Sequence, residues 1–241
     1  YHLLNRKAGK NTLLSLYNPQ SKERWTEKVK PISLRAESQL MYKRWVEIMR
    51  KETERLSDGR LGYVHVRGMN SASFRQVYED LFGRYPDKEG IVIDTRFNGG
   101  GWLHDDLAVL FSGEKYVTYV PRGQKFGHDP MARWTKKSVL LMSESNYSDA
   151  HAFPYAYTTL DIGKTVGMPV PGTMTAVWWE TLQDNSLYFG IPQVGSVDTE
   201  GNYLENQQLE PDIGVRQDYE VIIKGRDQQL EKAVKVLLEQ L

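Results

Sequence analysis

The sequence has 241 residues with 31 basic and 31 acidic side chains, so its formal net charge is zero. A chain of this length can bury a sizeable core in one or two domains, and its neutral charge gives no overall attraction to nucleic acid, an anionic membrane or a highly charged substrate. The absence of Cys excludes disulfides, thiolate zinc sites and Cys nucleophiles, and it leaves the compartment open between cytoplasm and periplasm.

The N-terminal part is predicted to contain a short β-rich piece followed by a helix. "TLLSLYN" and "RWTEKVKPI" are plausible strands, separated by the turn-like "NPQSK", and the piece is too small for its own core. The helix is expected from about Ala36 to Leu56. The first residues, "YHLLNRKAGK", lack an initiator Met and an apolar leader, so we expect the chain to begin inside a larger protein. No apolar run approaches the ~20 residues that cross a bilayer, and no transmembrane segment is expected.

The remainder of the chain alternates between strand and helix patterns. Strands "GYVHV" and "GIVIDTR" flank a helix capped by Asn70 or Ser71, and the helix "LHDDLAVLF" precedes the strands "KYVTYV" and "SVLLM". "SLYFGIP" is a later strand, and "DQQLEKAVKVLLEQL" is a helix behind an Asp227 cap. Short apolar strands between helices predict an α/β core that is covered on both faces.

Three successive glycines, Gly99 to Gly101, follow the strand "IVI" within "DTRFNGGGW". Glycines at a strand end let the backbone approach another group closely, as in an oxyanion hole or a phosphate loop. A Walker loop is disfavoured because no Lys-Ser/Thr pair follows, and the spaced glycines of a dinucleotide site are absent. A tight turn with a close helix contact is the structural alternative.

The segment "SVLLMSESNYSDA" repeats this order of strand, polar turn and helix. If Ser148 starts the helix, its hydroxyl is exposed at the strand end, and the backbone N–H of Asp149 points to where an oxyanion would develop. Gly101 can supply a second donor. The alternative is that Ser148 only caps the helix.

Taken together, these segments resemble the tricorn-type proteases within the carboxyl-terminal processing protease family of serine peptidases. The resemblance covers about Leu61 to Leu241, and it is carried by "GYVHV", "IVIDTRFNGGGW", "SESNYSDAHAF", "IGKTVG", "ENQQLEPD" and the terminal helix. It implies a Clp-protease/crotonase-like spiral of βαβ units over residues 36–241. It also implies that residues 1–35 are the end of a PDZ-like domain.

The resemblance also implies a set of site residues. Ser148 is the nucleophile, Gly101 and Asp149 donate the oxyanion-hole N–H groups, and Glu205 of "LEN" is the acidic member of the catalytic tetrad. Without the resemblance, Glu205 reads as a surface acid in a loop. Residues expected along the substrate cleft are Gly99, Gly100, His104 and His151.

The general base is missing from this set. Tricorn-type enzymes use a His beside a Ser, both placed before the PDZ domain, and the processing branch uses a Lys in a "GKG"-like turn. That turn here reads Gly172-Thr173-Met174, and Lys164 aligns with a different "GK". His65, His104 and His151 have no family counterpart as base, so we expect the base upstream of this chain.

The sequence therefore predicts a serine peptidase that cleaves peptides or unfolded proteins through an acyl-enzyme, without a metal or another cofactor. A homo-oligomer is compatible with this reading, and no nucleic-acid partner is expected. The alternatives are a non-catalytic peptide-binding or assembly module and a crotonase-like thioester-processing enzyme; "ENQQLEPD" favours a hydrolase over the latter. Trp178 and Trp179 fit a substrate cleft or, as we expect, buried sheet packing.

Overall fold

The computed structural model describes residues 2–124 and 126–241. The chain divides into two compact units, the first ending at Ile48 and the second running Met49–Leu241. Each unit is described by itself.

The first unit contains the two strands that the sequence predicts. Strands β1 (Thr12–Tyr17) and β2 (Arg24–Val29) pair antiparallel, with Thr12 opposite Val29 and Tyr17 opposite Arg24. Helix α1 (Leu34–Leu56) starts in this unit, two residues before the expected Ala36, and ends in the second unit. The assignment of residues 1–35 to a PDZ-like domain and of 36–241 to a catalytic core stays a prediction.

The second unit continues with alternating strands and helices. In chain order these are β3 (Leu61–His65), α2 (Ser71–Glu79), β4 (Gly90–Asp94), α3 (His104–Phe111), β5 (Val117–Tyr119), β6 (Gly127–Asp129), β7 (Lys137–Met142), α4 (Asp149–Thr159), β8 (Lys164–Gly167), β9 (Ala176–Thr181), β10 (Tyr188–Val194), β11 (Ile213–Gly214), α5 (Tyr219–Ile222) and α6 (Gln228–Leu238).

The core of this unit is a parallel sheet in the order β11-β8-β7-β4-β3. All five residues of β3 and of β4 are buried, which explains why these strands read as nearly continuous apolar runs. Side chains of α2, α3 and α4 pack in one cluster with residues of β3, β4 and β7. The predicted α/β class with a parallel sheet is confirmed, whereas its finer description as a spiral stays a prediction.

Two predicted helix caps are present. Asn70, rather than Ser71, caps α2, because its Oδ1 accepts hydrogen bonds from the N–H groups of Ala72 (3.1 Å) and Ser73 (3.0 Å). Asp227 caps α6 through a 2.9 Å bond from the Leu230 N–H.

Some of the expected strands lie outside the core sheet. "KYVTYV" contributes only β5, which pairs with β6, and "SLYFGIP" contributes β10, which pairs antiparallel with β9. The expectation that Trp178 and Trp179 are buried in sheet packing is wrong, because both lie on the two-stranded β9–β10 ribbon and are 56% and 57% exposed. Across the described part of the chain, no helix combines the length and apolar character needed to span a membrane.

A buried ionic network fixes the end of β4. The guanidinium of Arg96 donates to Asp94 Oδ2 (2.6 Å), to Asp227 Oδ1 (3.1 Å) and to Gln229 Oε1 (2.9 Å), while the Tyr63 hydroxyl donates to Asp94 Oδ2 (2.8 Å). Burial alone would raise the pKa of Asp94, but the charge and hydrogen bonds of Arg96 lower this pKa below its ordinary value. The network joins the strand end that leads into the glycine loop to the start of α6.

Replacing Arg96 by Met should destabilise the second unit by about 3–5 kcal/mol, because the substitution leaves Asp94 as an uncompensated buried charge. Urea unfolding followed by circular dichroism measures this loss. Arg55→Met is the matched control: Arg55 pairs with Glu52 at the surface, so its removal should change the unfolding midpoint far less. Equal midpoints for the two variants would contradict the role given to the network.

Candidate active site

Two loops meet at the carboxyl ends of the adjacent strands β4 and β7. The glycine loop follows β4, and the turn that carries Ser148 follows β7. Between them lies a cleft of about 480 Å³. Its lining comprises Gly99, Gly101, Trp102, His104, Tyr147, Ser148, Asp149, Ala152, Met174, Thr175, Ala176, Val177, Trp179 and Ser196.

Ser148 occupies a strained turn directly before α4. Its φ of 55° and ψ of −124° lie in a region of backbone conformation that residues other than glycine rarely adopt. The Ser148 side chain makes no capping hydrogen bond, so the interpretation of Ser148 as a simple helix cap is not supported. The turn is held from both sides, because the Ser148 N–H donates to Thr173 Oγ1 (3.0 Å) and the Tyr147 N–H donates to the Asn98 carbonyl (3.1 Å).

The glycine loop lies against this turn at a distance that only glycine allows. A Cβ on Gly100 would be 2.7 Å from the Tyr147 oxygen and 2.9 Å from Ser148 Cβ, and one on Gly101 would be 2.0 Å from the Met69 oxygen. Both glycines also have positive φ, 92° and 143°. The close approach needs these glycines, so the loop is more than a tight turn.

Two backbone N–H groups beside Ser148 remain available to a ligand. Within residues 2–124 and 126–241, the N–H groups of Gly101 and Asp149 have no hydrogen-bond acceptor. Both residues line the cleft together with Ser148. An arrangement of this kind can bind a developing oxyanion.

The carboxylate of Asp149 connects the two loops. Its Oδ2 accepts hydrogen bonds from the N–H groups of Leu103 (2.5 Å) and His104 (3.1 Å), and its Oδ1 contacts His104 Nδ1 at 2.5 Å. The hydrogen bond that His104 donates to Asp149 raises the pKa of His104 above its ordinary value, against the opposing effect of partial burial. Asp149 therefore fixes the start of α3 and the orientation of His104.

Glu205 lies outside the cleft lining but is connected to Ser148 through one short segment. Its Oε2 accepts hydrogen bonds from the N–H groups of Met174 (2.8 Å) and Thr175 (2.7 Å), next to the Thr173 hydroxyl that holds Ser148. Burial would raise the pKa of Glu205, but these hydrogen bonds lower this pKa below its ordinary value, so the carboxylate is ionised at neutral pH.

The family model described as Peptidase family S41 matches residues 60–215, well over half of the chain. The chain belongs to peptidase family S41. The matched range includes both loops of the cleft and Glu205.

Proteins named as tricorn proteases are among the relatives of this S41 chain. It is 29% identical over 211 residues to the tricorn protease homolog of Saccharolobus solfataricus, covering 86% of the chain and 20% of the relative. It is 30% identical over 212 residues to tricorn protease homolog 1 of Streptomyces coelicolor, covering 87% of the chain and 20% of the relative. The chain thus spans about a fifth of the length of these curated relatives.

The fold of the S41 chain is shared with solved structures. The crystal structure of the tricorn protease superposes with a TM-score of 0.83 at 21% identity, over 100% of this chain and 23% of the other. The structure of mature CPAF gives a TM-score of 0.57 at 12% identity, over 95% of this chain and 54% of the other. These comparisons confirm the resemblance to tricorn-type proteases.

The three histidines considered as bases in this S41 chain lie in different surroundings. His104 lines the cleft. His65 is buried in β3 with Nε2 3.0 Å from the Arg96 carbonyl oxygen, and His151 is buried one turn after Ser148, outside the cleft lining. Burial lowers the pKa of both His65 and His151. Within the described residues, no side chain accepts a hydrogen bond from Ser148 Oγ.

Sequence reasoning missed three polar residues that hold the S41 site together. The Asn98 side chain donates to the Val66 carbonyl (2.8 Å) and accepts from the Gly100 N–H (2.9 Å), and Asn146 Nδ2 donates to Thr95 Oγ1 (2.9 Å). Asn in a turn directly after a strand is a usable signal, since its side chain often bonds to nearby backbone. Thr173 gives no such signal, because its partner is 25 residues away. The described residues contain no cluster of three or more His, Asp or Glu side chains suited to a metal.

The pair His104–Asp149 predicts a specific pH dependence. Because the folded-state pKa of His104 is raised, the pair stabilises the fold fully below the unfolded value of about 6.5, and this contribution is lost as the pH rises through the folded pKa. Asp149→Asn keeps an acceptor for Leu103 N–H but removes the charge. NMR titration should therefore give a His104 pKa above 6.5 in the wild type and a lower one in this variant.

Asp161 is exposed, and Asp161→Asn is the control for a general loss of negative charge. This variant should leave the His104 pKa unchanged. A wild-type His104 that titrates at or below 6.5, or an unchanged value in Asp149→Asn, would show that the contact does not exist in solution.

Proposed function

We propose that this chain is the catalytic core of a serine peptidase in which Ser148 forms the acyl-enzyme. Membership of family S41 indicates peptide hydrolysis in general terms. The observation that carries the assignment of Ser148 is its strained elbow beside two backbone N–H groups without acceptors. The elbow projects the hydroxyl at a strand end, where a substrate carbonyl can reach it.

In this proposal Ser148 Oγ attacks the peptide carbonyl carbon, and its proton passes to a general base. The Gly101 and Asp149 N–H groups bind the oxygen that becomes negative in the tetrahedral intermediate. The C–N bond then breaks as the base returns the proton to the leaving amine, and water releases the acyl group by the same steps. Positioning and oxyanion binding thus come from this chain.

The base is proposed to be a His contributed from outside these 241 residues, with Glu205 supporting it. The free Ser148 Oγ among the described side chains supports this proposal. Glu205 is suited to the role because two backbone N–H groups fix its carboxylate and keep it ionised. A fixed carboxylate can accept a hydrogen bond from a polar side chain, and that side chain can in turn orient the base.

Several wider statements belong to the same proposal. The substrates are proposed to be peptides or unfolded proteins; the names of the tricorn relatives describe those proteins as proteases or protease homologs. Homo-oligomer formation and the compartment, cytoplasmic or periplasmic, stay predictions. The S41 match favours peptide hydrolysis over the crotonase-like alternative. A non-catalytic peptide-binding module on the same fold is the outcome that the following experiments would reveal.

Ser148 should be the residue that a fluorophosphonate labels in the longer parent protein, because among the described residues it is the serine that combines a positive φ with two neighbouring N–H groups without acceptors. Ser148→Ala should abolish the label and lower peptide hydrolysis by at least about 10³-fold. The adduct is mapped by peptide mass spectrometry. Ser145→Ala, three residues earlier on the same turn, is the matched control and should keep the label. An adduct on another serine that survives Ser148→Ala would refute the assignment.

The isolated 241-residue chain should hydrolyse peptides about 10²–10⁴-fold more slowly than its longer parent protein, because it lacks the general-base contribution. Initial rates on a panel of fluorogenic peptides, each with its Ser148→Ala control, measure the ratio. Equal rates would place the base within this chain. His104 would then be the leading candidate, since it is the histidine that lines the cleft.

A further inference from the structure

The cleft beside Ser148 has aromatic walls that nothing in the proposed mechanism uses. Trp102 of the glycine loop, Tyr147 of the elbow and Trp179 of β9 all line it, and they are 80%, 49% and 57% exposed. Large aromatic side chains left in water at this level usually mark a surface that binds something apolar.

We propose that this cleft binds a bulky, uncharged side chain of the peptide substrate between Trp102 and Trp179, and so selects peptides that carry an aromatic or large aliphatic residue near the cleaved bond. The inference rests on the proposed function, because it takes the occupant to be a peptide positioned at Ser148.

Trp179 is held in place although it is exposed. Its ring contacts Tyr188 edge-on, with the ring centroids 5.4 Å apart, and it lies over Gly190, its cross-strand partner on β10. A Cβ on Gly190 would be 3.0 Å from the Trp179 ring, so a glycine is needed for the ring to lie across the ribbon. A wall that is fixed before binding loses little conformational entropy when a ligand arrives.

Most of the remaining lining residues are apolar, although Thr175 and Ser196 add two hydroxyl-bearing residues. Ala152 of α4 and the side chains of Met174, Ala176 and Val177 line the cleft together with the tryptophans. The volume of about 480 Å³ lies in the range of sites that enclose small ligands, so it accommodates the largest natural side chains.

The charges in the cleft are already paired. Asp149 and His104 are the only Asp, Glu, Lys, Arg or His residues among the described lining residues, and they contact each other at 2.5 Å. Asp149 also accepts two backbone N–H bonds. No free charge is left to compensate a Lys, Arg, Asp or Glu side chain of the substrate, and burying such a side chain without a partner is costly. The cleft therefore discriminates against charged residues as well as favouring apolar ones.

The test uses the longer parent protein and fluorogenic peptides in which one position at a time is Phe, Leu, Ala, Lys or Glu. At one position flanking the cleaved bond, kcat/KM for Phe and Leu should exceed that for Ala, Lys and Glu by about 10–100-fold, the range that apolar pockets achieve. Trp179→Ala should reduce this preference about 10-fold.

Trp178→Ala is the matched control. Trp178 is the neighbouring residue on the same strand and is exposed to the same extent, but it is absent from the cleft lining and donates to Glu180 instead. This variant should keep the wild-type preference. A preference for Lys or Glu, or equal effects of the two Trp variants, would overturn the inference, while Ser148-dependent hydrolysis would leave the proposed function standing.

A binding experiment tests the inference separately if the proposed function fails. If the parent shows no Ser148-dependent hydrolysis, the proposed function fails, and titration of the 241-residue chain with N-acetyl-Phe-amide and N-acetyl-Lys-amide decides the inference by itself. Tighter binding of the Phe amide to the wild type and to Trp178→Ala, lost in Trp179→Ala, supports the apolar cleft. Equal binding of both amides would overturn it.

Discussion

The carboxylate of Asp149 is the contact on which the rest of the site depends. Parallel strands bring two loops to one edge of the sheet, but strand pairing fixes only where each loop begins. Asp149 closes the remaining gap, because its oxygens bind the backbone of Leu103 and His104 across 45 or more residues of sequence. The same residue supplies one of the two N–H groups beside Ser148, so its side chain links the turn that carries this donor to the loop that carries the other.

A second set of charges, at the end of β4, also holds the glycine loop that Asp149 contacts. Arg96 binds Asp94, the last residue of β4, and joins it to residues around the start of α6. Arg96 itself lies only three residues before the glycines. The glycine loop is therefore held at its start by buried ion pairs and at its end by Asp149. A loop fixed at both ends can keep the Gly101 N–H donor in place without an ordered ligand.

The sequence indicates the core of the fold well and its outer ribbons poorly. Strands β3, β4 and β7 contain nearly continuous apolar runs because they are buried on both faces, and this pattern is visible without a structure. Ribbon β9–β10 has the same aromatic and β-branched composition, yet Trp178 and Trp179 are exposed on it. Composition reports that a segment prefers extended backbone, whereas burial depends on which other elements reach that segment.

The site also has features that the sequence indicates and features that only the structure shows. The sequence alone points to Ser148 and its donors, through the glycines, a serine after a strand and a resemblance over most of the chain. The link from Thr173 to Ser148 and the pairing of His104 with Asp149 join residues that are far apart in sequence, so only folding brings them together. Their roles as positioning groups follow from distances, which a single sequence does not contain.

The backbone of Ser148 has a consequence for how this protein balances stability against activity. A φ of 55° with a ψ of −124° is a conformation that glycine adopts readily and serine adopts at a cost of about 1–3 kcal/mol. If Ser148 is the nucleophile, as proposed, the elbow is a position where the residue best for folding and the residue best for chemistry differ. The hydrogen bonds that the Ser148 and Tyr147 N–H groups donate to Thr173 and Asn98 oppose the relaxation of this turn, and a protein optimised for stability alone would have no hydroxyl there.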